Sequence, residues 1–73
     1  MREEDFKGLK VGDIVQTKLV VTDLMNGPVQ YGTELVVGDL SYYTSEGREV
    51  SYRRCRLKDG VEYSIPVNAE DLV

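Results

Sequence analysis

Residues 48–65 read REVSYRRCRLKDGVEYSI, and they predict two extended strands joined by a tight turn. Asp59-Gly60 is a strong hairpin signal, because both residue types tolerate the positive φ that short hairpin turns require. Strict alternation then predicts a strand over residues 61–65. The residues expected to face inward are Val61, Tyr63 and Ile65. Pro66 is expected to end this strand, since proline cannot donate to a sheet ladder.

The strand before the turn, residues 48–57, changes its apolar register partway along. Its apolar residues occupy even positions first and odd positions later: Val50 and Tyr52, then Cys55 and Leu57. A β-bulge near Arg53-Arg54 would place all four on the core side and aim one or both arginines outward. We therefore expect a bulge within this strand.

A second strand is predicted upstream, beginning near Val29 or Thr33 and running to Tyr43. The turn 44–47 separates it from the strand at 48–57. Gly38 lies inside it, and a glycine within a strand often marks a bulge or a sharp bend.

A first strand is predicted from about Ile14 to Asp23, after a bend at Gly12-Asp13. The residues that break it, at 24–28, include an Asn-Gly pair and a proline. Period-two alternation predicts one inward row of apolar residues: Leu9, Val11, Val15, Leu19 and Val21.

The two ends of the chain are expected to differ. Residues 67–70 suit one helical turn, and residues 72–73 suit a closing strand. Residues 1–8 begin with a run of acidic side chains and predict a frayed N-terminus. No long segment has helical periodicity, and 73 residues form at most one domain. These features predict a single all-β domain over residues 1–73.

Three short motifs resemble SH3-like barrels. Gly12-Asp13-Ile14-Val15 resembles their common strand start, and the Asp59-Gly60 turn resembles their distal hairpin in position. Residues 65–68 with 72–73 resemble their ending, where a proline and an asparagine open a single 3₁₀ turn before the last strand. The resemblance implies a small barrel of about five antiparallel strands with a 3₁₀ turn near the C-terminus. An OB-like topology and an open curved sheet remain alternatives.

The resemblance does not extend to recognition of proline-rich peptides. SH3 domains with that specificity carry a groove tryptophan, and this chain has no tryptophan. Pro66 and Asn68 are therefore expected to shape the turn, and lining a groove is the less favoured alternative.

Catalytic residue types are mostly missing from the sequence. There is no histidine, so the commonest general base and metal ligand is lacking, and the single cysteine, Cys55, has no histidine partner. Cys55 is expected to be a small buried core residue. No glycine pattern resembles a phosphate loop. We predict a protein that is not an enzyme and that has no cofactor and no metal site.

The location predicted from the sequence is cytoplasmic. A single cysteine cannot form an internal disulfide, so no oxidising compartment is required. The longest apolar stretch, residues 19–21, is far too short to span a bilayer. The acidic start lacks the apolar region of a secretion signal.

Charge and aromatic residues together indicate a binding surface. The chain carries a net charge of −4, but its basic residues cluster within 48–58. Tyrosine and arginine are enriched at the centres of protein interfaces. We predict a protein-interaction module or small regulatory protein, with these contact residues: Tyr42, Tyr43, Arg48, Tyr52, Arg53, Arg54 and Arg56.

Other interpretations stay open at this point. In a nucleic-acid-binding barrel, tyrosines would stack on bases and arginines would meet phosphates, although a pI of about 4.6 argues against it. An acidic surface that imitates DNA is a special case of protein binding. The arginines can also be simply solvated and paired across strands. The chain is expected to be a monomer or a homodimer formed through an edge strand.

Overall fold

The computed structural model describes residues 1–18, 21–23 and 27–73, which form one short helix, seven strands and one 3₁₀ turn. The elements in chain order are α1 (Glu3–Lys7), β1 (Ile14–Gln16), β2 (Val21–Asp23), β3 (Gly27–Val29), β4 (Glu34–Val36), β5 (Leu40–Ser45), β6 (Arg48–Leu57), β7 (Ile65–Val67) and the 3₁₀ turn η1 (Ala69–Asp71). The domain is all-β, as predicted, and β6 has the bounds expected from the sequence.

β6 organises the main sheet. It pairs with β4 and β5 along one edge and with β7 along the other, and β1 pairs with β4. All of these pairings are antiparallel. β2 and β3 form a separate two-stranded ladder. The five-stranded antiparallel sheet agrees with the strand number that was predicted.

One extra residue bends the chain between β4 and β5. Val36 lies opposite Arg56 and Leu40 lies opposite Arg53, so four steps along one strand match three along the other. Gly38 occupies this bulge, and a Cβ built on it would lie 2.1 Å from the carbonyl oxygen of Arg54. The prediction of a bend at Gly38 is confirmed, and only glycine permits such a close approach of two backbones.

The predicted bulge within β6 is wrong, because the extra residue belongs to the opposite strand. β6 therefore alternates without interruption, and its buried residues are all odd-numbered: Ser51, Arg53 and Cys55. Val50 and Tyr52 lie on the other face and are half-buried. The prediction failed because it assigned the apolar residues to the inner face, whereas two inner positions, Ser51 and Arg53, carry polar side chains.

The predicted first strand consists of two shorter elements, β1 and β2. Thr17 is a polar residue at an inward position of this row. It is fully buried, and its hydroxyl donates to the Gln30 carbonyl and accepts from the Thr33 amide. Val15 and Val21 are buried as predicted, but Val11 is exposed. Leu19 lies outside the described residues, as does most of the predicted break at 24–28.

The segment after β6 differs from its prediction. A tight turn is present, with the Gly60 amide donating to the Leu57 carbonyl, but neither Asp59 nor Gly60 has the positive φ that the predicted hairpin requires. Residues 61–64 are not a strand, and Val61 and Tyr63 are exposed. Pro66, expected to end a strand, lies inside β7 opposite Arg54. Proline is tolerated in an edge strand where its nitrogen faces away from the ladder.

The C-terminal turn matches its prediction. Asn68 begins η1, with reciprocal side-chain and backbone hydrogen bonds to Asp71. Leu72 is fully buried and forms an isolated bridge with Thr17 at the edge of β1. The SH3-like barrel itself stays a prediction.

The prediction of a frayed N-terminus is wrong. Residues 3–7 form α1, and Phe6 is fully buried in the core. The amino group of Met1 donates to the carbonyls of Ala69 and Leu72. One aromatic anchor and these charged hydrogen bonds hold a segment that its acidic composition suggested would be mobile.

The core combines residues from α1, the main sheet, the β2–β3 ladder and the C-terminal turn. Its members are Phe6, Val15, Val21, Val29, Leu35, Val37, Cys55, Ile65, Val67, Ala69 and Leu72. Among the described parts of the chain, no helix has the length and apolar character needed to cross a membrane.

Candidate functional site

The β5–β6 hairpin divides the predicted contact residues between two faces. Paired residues share a face, and Tyr43 lies opposite Val50 while Tyr42 lies opposite Ser51. The outer face carries Tyr43, Arg48, Tyr52, Arg54 and Arg56. The inner face, which packs against α1, carries Tyr42 and Arg53. Five of the seven predicted residues therefore lie on one surface.

Arg53 faces the protein interior, contrary to the prediction. Its guanidinium donates to the carbonyl oxygens of Phe6 (3.1 Å), Gly38 (2.9 Å), Lys7 (3.3 Å) and Leu9 (2.7 Å). Its side chain also lies over the Phe6 ring at 5.6 Å. Only 3% of the residue is exposed, so Arg53 fastens the N-terminal segment to the sheet and offers no donor to a partner.

Arg56 lies on the outer face, but the turn after β6 uses its donors. Its Nη1 donates to the carbonyls of Leu57, Lys58 and Gly60, at 3.0–3.2 Å. Its Nε donates to the hydroxyl of Tyr63, and the guanidinium lies 5.5 Å from that ring. Arg56 therefore shapes this turn and holds the Tyr63 ring on the outer face.

Tyr43 and Tyr52 form a tilted aromatic pair, with ring centroids 5.6 Å apart. They line a shallow depression of about 420 Å³ together with Arg54, Pro66 and Asn68. We call this depression the Tyr–Arg groove. The sequence favoured a role in the turn for Pro66 and Asn68 over a place in a groove, and here they also line the groove because β7 lies beside β6. The Pro-x-Asn motif was the signal that could have placed them there.

Asn68 is held rigidly at the end of the Tyr–Arg groove. Its side-chain amide donates to the carbonyl of Ser51 at 2.8 Å, and its backbone amide donates to the Asp71 carboxylate at 2.8 Å. Ser51 in turn donates to the carboxylate of Glu3. The groove wall is thus connected to α1 through one chain of hydrogen bonds.

Arg54 is the one arginine of the groove. It is exposed, and no described residue provides its guanidinium with a hydrogen bond or an ion pair. It also borders a second depression, of about 400 Å³, on its other side. The remaining residues of that second depression are Val11, Gly38, Asp39, Ser41 and Tyr63. Arg54 therefore stands between two concave surfaces.

The other predicted contact residues lie away from the groove. Arg48 is exposed on the outer face, next to the turn that joins β5 and β6. Tyr42 is 49% exposed on the inner face, with the Lys7 ammonium 6.0 Å from its ring. A single flat partner cannot contact Tyr42 and Tyr43 together, because neighbouring strand residues point to opposite faces.

Cys55 is fully buried beneath β6, as predicted. Burial raises the pKa of its thiol to about 11, outweighing the hydrogen bond from Gly38 and the charge of Arg53, which both lower it. The thiol is therefore protonated at neutral pH, which makes it a poor nucleophile. Among the side chains that the structure describes, no cluster of three metal-ligating residues occurs.

Comparison with known proteins adds no assignment. No protein-family model, no curated protein and no solved structure matches this chain.

Proposed function

We propose that this chain is a non-catalytic protein-interaction domain that binds an extended segment of a partner protein in the Tyr–Arg groove. One observation carries the proposal: the Tyr43–Tyr52 pair, in which Tyr43 is exposed and Tyr52 half-buried, lies beside Arg54, whose guanidinium has no partner among the described residues. Aromatic rings and an arginine in one depression match the composition of protein-binding hot spots.

The groove is rigid enough to serve as a binding surface. Tyr52 and Arg54 project from the strand at the centre of the sheet, and Pro66 belongs to the adjoining strand. Asn68 is fixed by two hydrogen bonds. A surface that is already ordered loses little conformational entropy on binding.

The chemistry of the groove indicates the kind of segment that fits. The Tyr43–Tyr52 rings offer apolar area to an aliphatic, proline or aromatic side chain. Arg54 offers planar donors that suit a carboxylate. We therefore propose a ligand segment with an apolar residue near an acidic one. The net charge of −4 slows the approach of strongly acidic partners. We therefore propose a partner that is not strongly acidic as a whole and that carries its acidic residue within the bound segment.

Nucleic-acid binding is the alternative that this arrangement supports less well. Arg53 is used inside the fold and Arg56 in the turn after β6, which leaves Arg48 and Arg54 as exposed arginines of the β6 strand. Phosphate contacts supply most of the affinity for nucleic acid, so an acidic domain with two exposed arginines on this strand is expected to bind nucleic acid weakly. A regulatory or inhibitory role in the cytoplasm belongs to the same proposal of protein binding.

Selection from a library of displayed random peptides tests the proposal. Peptides that bind the wild-type domain are measured against Arg54→Glu and against Lys18→Glu, which makes the same charge change at an exposed site outside the groove. We expect Arg54→Glu to abolish binding and Lys18→Glu to preserve it. Equal binding to both variants, or the absence of any selected peptide, contradicts the proposal.

A further inference from the structure

The edge of β5 that faces away from β6 has a defined hydrogen-bonding pattern. Glu46 and Gly47 both have positive φ, at 51° and 75°, and they form a two-residue turn of the I′ type. In such a hairpin the closing pair, Ser45 and Arg48, is hydrogen-bonded, and bonded pairs then alternate. The backbone groups of Ser41, Tyr43 and Ser45 therefore point toward β6.

The intervening residues, Tyr42 and Thr44, direct their N–H and C=O groups away from β6. No backbone hydrogen bond from any other described segment reaches these groups. The backbone pairing between β4 and the segment that leads into β1 ends at Val37, before β5 begins. There the Gly12 amide donates to the Val37 carbonyl, and the Val37 amide donates to the Asp13 carbonyl. β5 is therefore an open sheet edge.

This edge also lacks the features that usually prevent pairing. Natural edge strands are protected by charged residues, prolines, bulges or short length. β5 is six residues long and reads LSYYTS, with no charge and no proline. The bulge at Gly38 precedes the strand and leaves its exposed edge regular.

We infer that β5 pairs with β5 of a second copy of this chain, antiparallel, about a two-fold axis at Tyr43. In this register Tyr42 of one copy lies opposite Thr44 of the other, and their outward backbone groups exchange hydrogen bonds at both ends of the axis. The contact is isologous, so it closes as a dimer and does not propagate into fibres.

The side chains agree with a second copy as the occupant. Tyr43 meets Tyr43 of the second copy on the outer face, and Ser41 meets Ser45 of the second copy, so like charges do not oppose each other along the strand. Beyond the paired strand, this register places Asp39 opposite Gly47 of the second copy and Leu40 opposite Glu46, so the two acidic side chains are not directly paired. The pairing also brings the two Tyr–Arg grooves side by side, although it does not depend on what they bind.

Sedimentation and amide hydrogen exchange of the wild-type chain, from micromolar to millimolar concentration, test the inference. We expect the mass to rise from the 8.2 kDa of one chain toward twice that value. Protection of the Tyr42 and Thr44 amides should rise in parallel. The amides of Ser41 and Tyr43, already bonded to β6, should not respond. A constant mass, or a dimer whose added protection lies elsewhere, overturns the inference.

Variants at one position provide the matched comparison. Thr44→Pro removes an N–H that has no acceptor within the described chain, whereas Thr44→Val keeps it. We expect the proline variant to stay monomeric and the valine variant to dimerise like wild type. Arg54→Glu should also dimerise, which separates this inference from groove binding. A Thr44→Pro variant that dimerises and keeps a native spectrum contradicts the inference. If that variant unfolds, the hydrogen exchange of the wild-type chain is the deciding test.

Discussion

Arg53 and Arg54 are adjacent and chemically identical, yet the fold gives them opposite roles. Arg53 points inward and donates to the carbonyl oxygens of four residues, while Arg54 points outward and borders the Tyr–Arg groove. The alternation of one uninterrupted strand makes the difference. In a small domain with little core, one arginine substitutes for part of that core and its neighbour is left available for binding.

The largest expected effect comes from removing the buried arginine. Arg53→Met should lower the free energy of unfolding by about 3–5 kcal/mol, because it leaves buried carbonyls without donors. A domain of this size has a total stability of roughly 3–5 kcal/mol, so the variant should be largely unfolded. Urea denaturation of this variant, and of an Arg54→Met control, measures the difference in the free energy of unfolding.

Arg54→Met is the matched control for this prediction. It should change the free energy of unfolding by less than about 0.5 kcal/mol, as exposed substitutions usually do. Equal losses from the two variants would remove the distinction between the two faces. The same distinction means that a double substitution of Arg53 and Arg54 cannot test binding, since it would destabilise the fold.

Gly38 sets the register that separates the two faces, and its substitution should have the next largest effect. Gly38→Ala places a methyl group 2.1 Å from the Arg54 carbonyl oxygen, and the backbone must shift to admit it. We expect a loss of about 1–3 kcal/mol. Gly60→Ala is the control, because its nearest neighbours lie at 3.4 Å. A Gly38→Ala variant as stable as the control would contradict the tight bulge.

Cys55 tests the same comparison, because its side chain is buried on the inner face of β6. Cys55→Ser should cost about 1–3 kcal/mol, since it buries a hydroxyl in an apolar site. The thiol should react slowly with thiol reagents in native buffer and fully in denaturant. Complete and rapid reaction of the native protein would show that the inner face is accessible.

The raised thiol pKa predicts the smallest effect, a loss of stability at alkaline pH. The unfolded thiol ionises near its ordinary pKa of 9.0, whereas the buried thiol keeps its proton up to about 11. The unfolded chain therefore binds fewer protons than the folded chain between these values, and stability falls as pH rises through this window. Cys55→Ala should lack this component. An identical pH dependence in both proteins would contradict it.

Local signals predicted the parts of the fold that depend on backbone chemistry. The bend at Gly38 and the turn begun by Asn68 each depend on a particular residue type, so the sequence identifies them. Side-chain parity failed in β6 because Ser51 and Arg53 are buried polar residues. Their burial depends on partners distant in the chain, which no local pattern reveals.

The same limit applies to the N-terminal segment and to the candidate site. Phe6 is a single apolar residue among charged ones. Its anchoring depends on Arg53, which lies 47 residues later in the chain. Tyrosine and arginine were predicted to be contact residues from composition, and that role stays a prediction. The contribution of Pro66 and Asn68 to the groove follows from the pairing of β7 with β6, which is a tertiary feature.

Mapping of amide chemical shifts on the labelled protein tests the central claim most directly, namely that the outer face is the binding surface. The probes are a peptide selected against the wild-type domain and, separately, single-stranded oligonucleotides at low and moderate salt. The account predicts that the peptide shifts amides around Tyr43, Tyr52, Arg54 and Asn68, and that oligonucleotides shift few. Peptide shifts confined to α1 and Tyr42, or salt-sensitive oligonucleotide shifts along β6, would contradict it.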